Sequence, residues 1–96
     1  MRLRARVDRN QKSIVTVLRQ LGATVQSLSP IGSGCPDILA GYLGKNVLME
    51  IKDGSLPPSE RRLTPDEAKW ISLWRGQVVI VESIEEACAA IGVNIA

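Results

Sequence analysis

The segment GCPDILAGYLGKNVLMEIKDG, residues 34–54, places Asp37 directly after Pro36 and, thirteen positions later, sets Glu50, Ile51 and Lys52 at the end of an otherwise apolar run. Charges are costly in a strand that packs on a core, so their presence there calls for a chemical reason. Two carboxylates held side by side repel each other. A divalent cation relieves that repulsion, and the hard oxygens of Asp and Glu suit magnesium. Lys52 lies two residues beyond Glu50 and so shares its strand face, while Met49 and Ile51 alternate toward the core. The lysine supplies a further charge beside the pair.

A hairpin would bring these residues together. Leu43, Gly44, Lys45 and Asn46 supply turn chemistry between two apolar runs. A turn centred between Gly44 and Lys45 pairs positions whose numbers sum to about 89, which sets Asp37 opposite a position near 52 and one step diagonal from Glu50. Taken singly, an Asp after Pro is ordinarily a turn residue, and Glu-x-Lys at a strand end is ordinarily a solvated edge. Their combination across a turn is what points to a site.

The elements around this segment are well punctuated. Between Val7 and Leu21, Ile14, Val17, Leu18 and Leu21 recur at helical spacing, Asp8 and Gln11 resemble an N-cap with its N3 partner, and Gly22 ends the helix. Thr64, Pro65 and Glu67 predict a second helix start, closed by Gly76, and Ser83 with Glu86 a third, closed by Gly92. Strands are expected over Thr24–Leu28, Asp37–Leu43, Asn46–Lys52 and Gln77–Glu82, giving the order αβββαβα. The run VVIV is apolar on both faces, which predicts a central strand. The proline-rich stretch from Gly54 to Arg62 reads as a loop within one domain spanning residues 1–96. Gly32 and Gly34 lack the lysine and following helix of a phosphate-cradling loop and are expected to bend the backbone near the site.

Composition excludes several classes. With 45% hydrophobic and 23% charged residues the chain is expected to fold throughout. It has no histidine, and Cys35 and Cys88 are too far apart for zinc-ligand spacing, so two free thiols in a reducing, cytoplasmic setting are expected. No apolar run is long enough for a membrane span, and no export signal is evident. The net charge is only +2, so attraction to nucleic acid would depend on where basic residues cluster. Arg2, Arg4, Arg6, Arg9 and Lys12 crowd the start of the first helix, and Arg61 and Arg62 follow the charged strand; both groups could hold phosphates or simply solvate the surface. Trp70 and Trp74 read as core or interface packing. Two Trp, one Tyr and no Phe make a base-stacking platform for single strands a poor fit.

Pro-Asp followed after thirteen positions by Glu-Ile-Lys resembles the PD-(D/E)xK nuclease superfamily, and the surrounding order resembles its restriction-endonuclease-like core, αβββαβ(α) with a mixed central sheet flanked by helices. The segments G-x-P-D-I-L, V-L-M-E-I-K-D-G and L-T-P-D-E-A-K-W, with the later V-V-I-V-E-S strand, are similar to small phage-type VRR-NUC domains from about Val7 to Ile91. The resemblance implies metal-dependent hydrolysis of DNA phosphodiester bonds. It assigns Asp37 and Glu50 as Mg2+ or Mn2+ ligands together with the backbone carbonyl of Ile51, and Lys52 as the residue that positions or activates the attacking water. Many members carry a further acidic residue on the first helix. Here only Asp8 lies nearby, as a cap or an accessory ligand, and Gln11 could orient a water instead. Stand-alone members are similar to Holliday-junction resolvases and act as homodimers on branched DNA, so DNA and a second copy are the expected partners. A non-catalytic DNA-binding or assembly module with a nuclease fold is the alternative, and an RNA-cleaving relative is a third reading.

Overall fold

The computed structural model describes residues 10–95. Helix α1 (Gln11–Gln20) is followed by strands β1 (Thr24–Ser27), β2 (Ile38–Tyr42) and β3 (Lys45–Ile51), then helix α2 (Pro65–Leu73), strand β4 (Val78–Val81) and helix α3 (Ile84–Ala90). This is the order expected from the sequence. Short 3-10 turns at Ser29–Ile31 and Pro58–Glu60 interrupt the two longer connections.

The helix starts follow local chemistry, with one difference. Thr64 caps α2 in a full capping box, its hydroxyl accepting from the Glu67 N–H at 3.2 Å while the Glu67 carboxylate accepts from the Thr64 N–H at 2.8 Å. Ser83 caps α3 through the Glu86 N–H at 3.1 Å. The N-cap of α1, expected at Asp8, is Asn10. Its side chain makes no cap bond but donates to the Lys52 carbonyl at 2.9 Å, so it fastens the helix start to the end of β3 instead of closing its own first turn. Asp8 itself lies outside the described residues.

The four strands form one mixed sheet in the order β1-β2-β3-β4, with β1–β2 and β2–β3 antiparallel and β3–β4 parallel. Alternation places Ile38, Ala40, Val47, Met49, Ile51 and Val81 on one face, where they meet Ile14 and Leu18 of α1 and Ala87 and Cys88 of α3 in a closed core. Both cysteines are free thiols. Strand β4 is at the edge of the sheet, not in its centre, and Ile80 is 44% exposed. Four apolar residues in a row do not distinguish a strand covered on both sides from an edge strand whose outer face stays open.

The hairpin register also differs from expectation. Ile38 pairs with Met49 and Tyr42 with Lys45, so the turn residues are Leu43 and Gly44. Both have positive φ, 49° and 79°, the type I′ pattern whose twist matches the flanking strands. The slip of two positions moves Asp37 from opposite residue 52 to level with Glu50 when the observed register is continued by one step. Leu43 is 83% exposed and sits in a conformation that costs a residue with a Cβ roughly 1 kcal/mol. Leu43→Asn is therefore expected to raise the unfolding free energy by about 1 kcal/mol, read as a higher denaturant midpoint with an unchanged slope.

Candidate active site

Asp37 is clamped between two neighbouring strands. Its N–H donates to the Met49 carbonyl at 3.0 Å, its own carbonyl accepts from the Leu28 N–H at 2.8 Å, and its Oδ2 accepts from the Ile51 N–H at 2.7 Å. The side chain thus bridges from the start of β2 to the end of β3. Pairing with β4 continues past Ile51, since the Lys52 N–H donates to the Val81 carbonyl at 2.9 Å. Glu50 and Lys52 lie on the sheet face opposite the α1–α3 core, and both are buried.

Three charged side chains meet here. Lys52 Nζ is 3.5 Å from Glu50 Oε2 and 2.8 Å from Glu67 Oε1. Burial pushes the Glu50 carboxyl up to about 9, the Asp37 and Glu67 charges push the same way, and Lys52 only partly opposes them. The folded protein therefore favours the protonated form of Glu50 well beyond the ordinary carboxylate range. Glu67 is the counterpart: burial works against its anion, but hydrogen bonds from Lys52, from the Thr64 backbone and from Glu50 outweigh it and hold the carboxyl below its ordinary range. Cys35 borders the same field, its thiol raised by burial and then by Glu50 and Asp37.

Glu50 Oε1 is buried with no hydrogen-bond partner. An oxygen in that state beside a second carboxylate fits a hard divalent cation, which would turn the repulsion into coordination. Among the described residues no cluster of three or more His, Cys, Asp or Glu side chains is arranged to hold a metal ion.

The other expected residues are placed unevenly. Gln11, the first residue of α1, is 7% exposed and its Oε1 is buried without a partner; its neighbour Asn10 is the residue tied to Lys52. Lys12 and Arg62 are exposed. Arg61 is half-buried and pairs with Glu82 Oε1 at 2.7 Å. Asp8, Arg2, Arg4, Arg6 and Arg9 lie outside the described residues. Trp70 and Trp74 stack on each other with ring centroids 4.6 Å apart, but α2 has no buried residue and Trp74 is 46% exposed, so the pair is not part of the core.

Glu67 is the site residue that sequence reasoning missed. Its place in the capping box already accounted for it, and the only available signal was that a buried lysine needs an anion near it. Gly34 explains how α2 comes so close: with φ at 85°, it lies where a Cβ would overlap the Asp66 carbonyl oxygen, so the loop before Asp37 and the first turn of α2 are in backbone contact.

The raised Glu50 carboxyl has a pH signature. The folded protein binds this proton more tightly than the unfolded chain, so the stabilisation is complete below the ordinary carboxylate range and is lost as pH rises toward about 9. The melting temperature of metal-free protein is expected to fall over that interval, and Glu50→Gln, which cannot ionise, is expected to flatten the profile.

Comparison with protein-family models and with curated proteins returns no match. Among solved structures, one titled "VRR_NUC domain" superposes with a TM-score of 0.64 at 27% sequence identity, covering 86% of this chain and 90% of that one. Agreement of that extent over both chains shows that this chain has the fold of that VRR_NUC domain, a fold of the nuclease type.

Proposed function

We propose that the chain is a nuclease that hydrolyses DNA phosphodiester bonds with Mg2+ or Mn2+, acting on duplex or branched DNA as a junction resolvase does. The observation that carries this reading is the buried, unpartnered Glu50 oxygen beside Asp37 and Lys52. A cation held by Asp37, Glu50 and the Ile51 carbonyl would supply Lewis acidity toward a phosphate oxygen and toward water. The protein's own residues do the rest. Asp37 and Glu50 fix the donor oxygens on adjoining strands, with Asp37 held by the Ile51 N–H. Lys52 directs its ammonium to the place where charge grows on the phosphate. Gln11, buried at the first turn of α1, is an accessory group that orients water.

Exposed Lys12 and Arg62, with Arg6 and Arg9 before α1, supply positive charge for backbone phosphates. Arg61 adds to the same loop surface while its guanidinium is shared with Glu82. One chain carries one site and a four-way junction needs two cuts, which favours a two-fold homodimer.

The test is cleavage of matched duplex DNA, four-way junction and RNA with either metal, on samples whose mass is measured by light scattering. Cleavage of DNA by a dimer is expected, together with a loss of about 10²-fold or more in Asp37→Asn, Glu50→Gln and Lys52→Ala at unchanged fold. Full activity in any two of these variants, or no cleavage of any substrate, would return the chain to the reading of a non-catalytic module.

A further inference from the structure

Lys52 is a cation beside a carboxylate pair, and that raises a difficulty for the site. An ammonium on a flexible four-carbon stem can settle between Asp37 and Glu50 and neutralise them itself. In the structure its two carboxylate contacts are unequal. Its Nζ lies closer to Glu67, at 2.8 Å, than to Glu50, at 3.5 Å, and Glu50 Oε1 stays without a partner. Glu67 is well placed for this restraint because its own rotamer is fixed. The same Oε1 that accepts from Lys52 also accepts from the Thr64 N–H at 2.8 Å, within the capping box. The first turn of α2 is in turn fixed against the loop that leads into Asp37 by the close approach of Gly34 to Asp66.

We propose that Glu67 is a positioning residue: anchored by the N-terminal capping box of α2, it holds the Lys52 ammonium at 2.8 Å and so keeps the lysine aimed at the substrate. The proposal rests on the reading of Lys52 as the lysine of a cleaving site. It goes beyond that reading by giving α2 a task other than packing, consistent with a helix that buries none of its residues. It also makes helix position and site geometry one mechanical unit, since moving the start of α2 moves the lysine.

Two variants separate the two jobs of the box. Glu67→Gln keeps an amide oxygen for the Thr64 N–H and so keeps the cap, but removes the anion that holds Lys52. Thr64→Ala removes the cap hydroxyl and leaves the carboxylate and the Thr64 N–H in place. The readout that needs no substrate is the nitrogen-15 NMR signal of the Lys52 side-chain ammonium in metal-free protein, assigned with Lys52→Met. A protected, slowly exchanging ammonium is expected in the wild type and in Thr64→Ala, and its loss in Glu67→Gln. In cleavage assays Glu67→Gln is expected to lower kcat by roughly 10²-fold with KM little changed, as misplacement of a reacting group does, while Thr64→Ala keeps kcat and loses only thermal stability.

Absence of a protected Lys52 signal in the wild type overturns the proposal. So does a signal that survives Glu67→Gln, or one lost equally in Thr64→Ala, which would make Glu67 a helix cap only. If no variant and no wild type cleaves DNA, the function proposed above fails while the ammonium signal still decides the role of Glu67.

Discussion

Burial of the Glu50 carboxyl, 2% exposed near the end of β3, is the constraint on which the rest of this end of the molecule depends. A carboxylate in that position is tolerated only if it takes up a proton, finds a cation or is held by hydrogen bonds. The surrounding chain supplies part of each remedy. Lys52 offers a charge from two residues away, Glu67 accepts the hydrogen bond that favours the protonated form, and Asp37 opposes ionisation from the neighbouring strand. Even so, one of its oxygens has no partner. That unpartnered oxygen is what the proposed hard cation would meet.

The sheet divides its two faces accordingly. The face against α1 and α3 carries an apolar core that includes Ile14, Leu18, Ile38, Met49 and Ile51, all fully buried, and it holds the strands at fixed spacing. Because Glu50 alternates with Met49 and Ile51, its direction is set by two side chains locked into that core, and rotating it away would turn Met49 and Ile51 out with it. Asn10 extends the arrangement by binding the Lys52 carbonyl from the start of α1, and the Lys52 N–H is tied to β4 through Val81. The electrostatically costly face is therefore positioned by the stable one. The first turn of α2 reaches the costly face through Gly34 and Glu67, without core contacts of its own.

The sequence disclosed the elements more readily than their arrangement, for reasons specific to particular residues. Gly22, Thr64 with Pro65 and Glu67, and Ser83 with Glu86 mark helix ends by chemistry confined to a few neighbouring positions, and such signals survive without tertiary context. The hairpin register differs by two from the expected one because Leu43 adopts a left-handed conformation more usual for glycine or asparagine, which places the turn on Leu43 and Gly44. The edge position of β4 depends on which strand it pairs with, a non-local choice that VVIV alone does not encode. Asp37, Glu50 and Lys52 stood out because charges interrupt an apolar pattern. Glu67 did not, since an acidic residue in the first turn of a helix is common, and its contact with Lys52 spans fifteen positions.

In the proposed reading the Asp37–Glu50 pair takes a divalent cation in exchange for the Glu50 proton. Calorimetric titration of metal-free protein with Mn2+ at pH 7, repeated in buffers of different ionisation enthalpy, measures that exchange directly. With the Glu50 carboxyl raised to about 9, binding is expected to release close to one proton per ion, and both the binding and the release are expected to vanish in Asp37→Asn. No binding heat in the wild type, or binding without proton release, would contradict it.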